Sequence, residues 1–350
     1  MAFSTIIKPS DYFNPKLYTG NYSTNAITGV GFQPDLTWIK SRGTAGENHY
    51  LFDKLRGVTK YIHSDTTAGE GTNSATLTTF GSDGFTVGAN NSVNKSGEPL
   101  VSWNWKAGTT SGITTDGTTT ITPTGYSFNQ TNGFSIVQYT GNGVDGAYLP
   151  HGLGVSPKVM IVKRISDSGR DWYVYHASMG NQKYMKLNEN SVISGTDGMW
   201  GSFTPTSVNM KMSNDAQINA SGNTYIMYFF ADVQGFSKIG SYIGNGNADG
   251  AFIYTGFKPA FILVKNTGTA RHWQIYDSKR IGYNVANYRL PPNTAGAEET
   301  NVNIDILSNG FKARSTDGDV NENGKTYIYM AFAEAPFVAN SGESIPTTAR

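Results

Sequence analysis

Thr255–Lys265 reads TGFKPAFILVK, and close variants stand at two earlier places, Gly31–Lys40 as GFQPDLTWIK and Gly154–Lys163 as GVSPKVMIVK. In each, the proline precedes the lysine by six residues (34 to 40, 157 to 163, 259 to 265). A second marker lies upstream: Tyr18-Thr-Gly-Asn21, Tyr139-Thr-Gly-Asn142 and Tyr242-Ile-Gly-Asn245. A third lies downstream, where a glycine opens an apolar run at Gly97–Trp105, Gly222–Phe230 and Gly324–Phe332. The lysine-to-glycine spacings are 57, 59 and 59 residues (40 to 97, 163 to 222, 265 to 324). Three markers in one order at near-constant spacing predict a tandem triplication of a unit of roughly 100 residues.

Periodicity says what the unit is. Proline cannot donate to a ladder, so Pro34, Pro157 and Pro259 are expected at the first position of a strand. Alternation then sorts the following residues into two faces. One carries Leu36, Val159 or Phe261, then Trp38, Ile161 or Leu263; the other carries Thr37, Met160 or Ile262, then Ile39, Val162 or Val264. Both faces are mostly apolar, which predicts a central strand covered on both sides. The closing lysine reads as the point where the strand surfaces, its stem lying on apolar neighbours.

Composition agrees with a β protein. The chain of 350 residues holds 41 glycines, 13% aromatic and only 15% charged residues. A net charge of +1 without a basic run argues against nucleic acid as a partner. No apolar run approaches the roughly 20 residues of a membrane helix, so no membrane insertion is expected. The opening MAFSTIIKPSDYFNP has no basic segment or apolar core of a signal peptide. With no cysteine, disulfides and thiolate chemistry are excluded.

The expected organisation is an N-terminal arm (1–17), β repeat A (18–108), a Thr/Gly-rich linker or β-arm (109–132), repeat B (133–234), repeat C (235–337) and a polar tail (338–350). The longer A–B junction predicts that A is tethered more loosely than B and C. Ser82-Asp-Gly-Phe85 and Ser308-Asn-Gly-Phe311 are hairpin signals. The closing run of repeat B, Tyr225–Phe230, is YIMYFF, apolar on both faces. Tyr225, Met227 and Phe229 are therefore candidates for an assembly face, on which a homo-oligomer, a trimer foremost, is expected.

Chemistry-bearing constellations are few. Gly141–Gly146 matches G-x-G-x-x-G after a strand, but AYLPHGLG follows where a dinucleotide site needs a helix, so it reads as a hairpin turn. Asp317–Asn323 alternates oxygen ligands as a calcium loop does, yet Glu322 stands at the glycine place, and a solvated turn is the expectation. The five histidines form no metal-binding spacing, and no nucleophile elbow occurs. No catalytic residue, cofactor or metal site is expected. The remaining candidates are aromatics that stack on sugars or anchor a partner: Trp172, Trp273, Tyr148 and Tyr283 foremost, with Tyr22 and Tyr126 beside them. Core packing is the competing reading for each.

Longer strings carry a resemblance. MAFSTI…PSDYFNPKLYTGN, GVGFQPDLTWIKSR, LFDKLRGVTKYIHS, SGEPLVSWNWKAG, NGFSIVQYTGNG, SGNTYIMYFFADVQGFSKIGSYIGNG and NGKTYIYMAFAEAPF resemble tailed-bacteriophage virion proteins of marine and cyanobacterial phages. These are tail fibre-like or capsid-associated proteins, and the resemblance spans nearly the whole chain. It implies a virion location after synthesis in the host cytoplasm, other virion proteins as partners, and a host-surface glycan or receptor as a further one. It brings no catalytic residues. The expectation is an all-β chain of three tandem jelly-roll-like β-sandwiches acting by binding, as a fibre, spike or capsid decoration. The alternatives are a carbohydrate-binding, lectin-like module and, behind it, a glycan-degrading enzyme.

Overall fold

Each proline-led run becomes the inner strand of a large antiparallel sheet in the computed structural model, which describes residues 4–195, 199–200, 203–281 and 283–336. The expected tail, 338–350, lies outside the described residues. The fold is nearly all β, with 41% strand and 3% helix.

Three large sheets share a strand order. The first runs Phe13–Thr19, Pro99–Trp105, Leu36–Ser41, Tyr50–Asp53; the third runs Ser237–Ile243, Thr326–Pro336, Phe257–Asn266, Gln274–Asp277. The second has Phe134–Thr140, Thr224–Phe230, Val159–Arg164 and Trp172–His176 in the same sequence, with Gly125–Asn129 and Met185–Lys186 added at its edges. Each large sheet covers a small one: Asn25–Thr28 with Gly84–Val87 and Leu77–Gly81, Ala147–Pro150 with Asn209–Met212, and Phe252–Tyr254 with Gly310–Ala313 and Ile304–Leu307. Both hairpin signals form their turns, with Gly81 opposite Gly84 and Leu307 opposite Gly310.

The second marker explains itself in this frame. Tyr18, Tyr139 and Tyr242 each donate a hydroxyl hydrogen bond of 2.7 Å, to the carbonyls of Val93, Ile218 and Val320. The glycine two residues on is needed because a Cβ at Gly20, Gly141 or Gly244 would lie 2.1–2.4 Å from a backbone oxygen. Buried Asn94, Asn219 and Asn321 then accept from the backbone N–H of Asn21, Asn142 and Asn245.

Each large sheet uses both faces. One packs on its own small sheet: Ile39 with Phe85, Met227 with Met210, Tyr329 with Phe311. The other faces of all three meet in one central core, which holds Trp38, Trp103 and Trp105, Ile161, Tyr228 and Phe230, and Phe261, Met330 and Phe332. At its hub the Phe13 ring lies 4.9 Å from Trp105, 5.1 Å from Phe332 and 5.6 Å from Phe261. Burying one phenylalanine contributes about 1.5–3 kcal/mol, and such ring pairs add about 0.5–1.5 kcal/mol each.

Several sequence expectations change. Pro34 and Pro157 stand two residues ahead of their strands, and Pro259 lies inside its own, at a register shift that spares the ladder the missing donor. The arm is no appendage: Ile6 joins the central core and the first strand starts at Phe13. Within 109–132, Gly125–Asn129 pairs with Phe134–Thr140 and Ile121 is buried in the second sheet's outer core. The first sheet is not loosely tethered, since its tryptophans share the core of the other two. Gly141–Gly146 is a turn, but it joins a large sheet to its small one and closes no hairpin.

The seams between the large sheets are made in one sense around the core. At the first–second seam Tyr228 Oη donates to Asp53 (2.8 Å) and Trp172 Nε1 to the His63 carbonyl (2.7 Å). At the second–third seam His176 Nε2 meets the Tyr329 carbonyl (3.1 Å) and Trp273 Nε1 donates to the Lys186 carbonyl (2.9 Å). At the third–first seam Trp103 Nε1 donates to Asp277 (2.9 Å) and His49 Nε2 meets the Pro291 carbonyl (3.1 Å). Because Trp38 Nε1 donates to His49 Nδ1, the proton of that imidazole sits on Nε2. Arg42 adds a two-pronged ion pair to Glu298 at this third seam.

Candidate functional site

Two of the aromatic candidates are interior. Trp172 and Trp273 are 0% and 3% exposed, and both indole N–H groups are spent on the seams. They correct the surface expectation. The sequence shows a tryptophan opening an outer strand, WYVYH or WQIYD; it does not show that a neighbouring sheet supplies a carbonyl for the ring nitrogen.

The assembly candidates are corrected too. Tyr225, Met227 and Phe229 are wholly buried against the second sheet's own small sheet, in the core that holds Leu149, Met210 and Trp200. The opposite face, Ile226, Tyr228 and Phe230, fills the central core. Neither face of this strand is left for another copy, so the apolar surface that motivated a trimer is covered within the chain.

The strand-end lysines do not surface. Lys40, Lys163 and Lys265 are all 0% exposed. Lys40 Nζ donates to the Ser41 carbonyl (3.0 Å), Lys163 Nζ to that of Arg170, and Lys265 Nζ to those of Asn266 (2.8 Å) and Asn190 (3.4 Å). The Lys163 ammonium also lies 5.8 Å from the Trp172 ring centroid. Burial pushes their pKa values down, to about 8 for Lys40 and Lys163 and about 7 for Lys265, against weaker opposing fields from Asp65, Asp171 and Asp319. These amines tie loops to the strands and offer no reactive surface.

In the Asp317–Asn323 turn, oxygens point at internal donors. Asp319 accepts from Arg289 and, at 2.8 Å, from Gln274, while Asp317 accepts from the backbone N–H of Asp319. Among the described residues no three metal-capable side chains gather at one point.

The outer surface keeps the remaining candidates. Tyr148 is half-buried, edge-on to Phe203 at 5.4 Å and 5.9 Å from the Lys211 ammonium. Tyr126 is likewise half-buried, its hydroxyl accepting from the Ile113 N–H. Tyr283 is 70% exposed and Tyr22 49%. Two residues were missed: Phe252 and Tyr254, 47% and 56% exposed on either side of buried Ile253. Their signal was available, because alternation puts them outward on an edge strand. Tyr283 lies in the loop beside the same small sheet's far edge, where the next residue, Asn284, brackets Ile306 with two hydrogen bonds of 2.9 Å. One small sheet thus has exposed aromatics on one edge and beside the other, whereas the first small sheet presents Ala26 and Thr28 beside buried Ile27. Rings on a rigid face can stack on or anchor a ligand.

A family model described as a domain of unknown function, DUF7483, matches residues 8–336, so the chain belongs to that family. No curated protein and no solved structure matches.

Proposed function

We propose that this DUF7483 chain is a bacteriophage virion component on the particle surface, a tail fibre or spike element or a capsid decoration, and that it acts by binding. On this reading it consists of three tandem β-sandwich units, each a large sheet over a small one, closed on each other around the central core. The shared strand order, the matching tyrosine and asparagine contacts and the one-sense seams support the three units. The observation that carries the functional reading is the division between interior and surface. Apolar strand faces are consumed inside the chain, while Phe252 and Tyr254 stand outward on one small sheet and Tyr283 is exposed in the loop beside its far edge. A rigid body with outward aromatics suits adhesion or docking to other virion proteins. The strings that resemble phage tail and capsid-associated proteins supply the particle.

Immunogold labelling of purified particles from the phage that encodes the chain tests the proposal. Label on tail or head surface is the expected result, and its position separates fibre from decoration. Particles that carry no label, from a lysate in which the protein is abundant, would sink the reading.

A further inference from the structure

Three loops of this chain have the same backbone and differ in one telling residue. After Asn21, Asn142 and Asn245, the next N–H donates to the carbonyl of Asn94, Asn219 or Asn321 at 2.7, 2.9 and 2.9 Å. The N–H after that donates to the side chain of the leading asparagine at 2.8, 2.9 and 3.0 Å. The residue between is held in the left-handed region each time, with φ of 52°, 69° and 65°. Two of the loops place glycine there, Gly143 and Gly246, as the conformation favours. The first places Tyr22.

A bulky residue at positive φ is strained, and the side chain placed there returns no contact inside the chain. Tyr22 is 49% exposed, and its ring and hydroxyl make no hydrogen bond or ring contact among the described residues. Local strain kept without an internal return points to an external one. The surroundings say of what kind. Along 19–24 and 91–96 the other exposed residues are Thr19, Asn21, Ser23, Thr24, Asn91 and Ser96, all hydroxyl or amide side chains, and half-buried Lys95 turns its ammonium to the Thr44 hydroxyl at 3.1 Å. A charged ligand finds no counter-charge there, and a protein anchor finds no apolar surround. A sugar ring fits both parts: its C–H face stacks on tyrosine and its hydroxyls exchange hydrogen bonds with Asn, Ser and Thr.

We infer that Tyr22 is the stacking residue of a binding site for neutral glycans on the first loop. The inference rests on the reading of the chain as three corresponding units, and it gives the adhesive role a ligand class. The test is the full chain on an array of uncharged hexose and N-acetylhexosamine oligosaccharides, beside Tyr22→Gly and Tyr22→Phe. Wild type and Tyr22→Phe should bind, and Tyr22→Gly should lose about tenfold in affinity while melting no lower than wild type. No binding of any neutral oligosaccharide, binding of sialylated or sulfated ones only, or undiminished binding by Tyr22→Gly would overturn the glycan site. A Tyr22→Gly melting point lower by several degrees would instead assign the ring a packing role and break the correspondence of the loops. Particle labelling answers separately, so failure here leaves the virion reading standing or falling by its own test.

Discussion

The Trp103 indole donates 2.9 Å to Asp277, a carboxylate 174 residues away that also receives the Arg280 guanidinium at 2.6 Å. Asp53 repeats the arrangement with Arg56 and Tyr228, whereas the second sheet has His176 at that place. One anion thus joins a seam to a buried cation, with all partners out of water.

Asp277→Ala should therefore be severe. It strands a wholly buried guanidinium and an indole N–H, and breaking such a pair costs about 3–5 kcal/mol. Urea unfolding reads this as a lowered midpoint at unchanged slope. A loss below about 1 kcal/mol would show that Glu298, 3.2 Å from Arg280, suffices alone.

Ile161→Ala probes the core shared by all three sheets. Ile161 is 4% exposed and lies with Val159, Val174, His176, Leu263, Trp273 and Met330 around a small apolar cavity at the second–third seam. The deletion should cost about 2–5 kcal/mol, toward the lower end where the existing void lets neighbours settle. Thermal melting by near-ultraviolet circular dichroism checks it; an unchanged midpoint would contradict the central packing.

The buried lysines give the protein an unusual alkaline limb. Their folded pKa values, about 7 to 8, lie below the ordinary 10.5. Between those values the unfolded chain binds more protons than the folded one, so stability rises with pH. The window closes near pH 10, where tyrosines ionise first in the unfolded chain because burial holds groups such as Tyr139 well above 10.0. Melting points should climb from pH 7 to pH 9.5, and Lys265→Met should gain most over wild type at pH 6. Parallel curves for wild type and variant across that range would refute the mechanism.

Asn219 should tolerate no change. Its amide donates to Asn142 (3.1 Å), Val144 (3.0 Å) and Ser213 (3.1 Å), and its oxygen accepts from the Asn142 N–H (2.9 Å). Asn219→Ala leaves buried partners unmet and should cost at least about 2 kcal/mol, each unsatisfied group contributing roughly 1–3 kcal/mol. Hydrogen exchange would locate the loss in the 142–146 loop; a loss spread evenly over the chain would count against the clamp.

Local signals carried far in this chain. Alternation located the inner strands, Asp-Gly and Asn-Gly placed two hairpins, and proline stood two residues ahead of two strands while a bulge admitted Pro259 into the third. Contacts between distant segments were not legible. Lys163 looks like a strand end meeting water until Arg170 turns a carbonyl onto its amine. Trp172 looks like a surface ring until His63, 109 residues earlier, accepts its proton. Phe252 and Tyr254 were within reach of alternation and needed only the recognition that their strand lies at an edge.

The one-sense seams make the chain a bracelet with a clasp. Two of its joints are also peptide-linked; the third, where the first sheet meets the last, is held by side chains and loops alone. Bringing ends so far apart in sequence together carries the largest closure entropy, and polar contacts close the joint. Arg42 grips Glu298, the Gly46 N–H reaches the Ala295 carbonyl, and the Ser64 hydroxyl reaches that of Pro292. Opening under load or heat would start at this joint, and its strength sets how long the closed form survives.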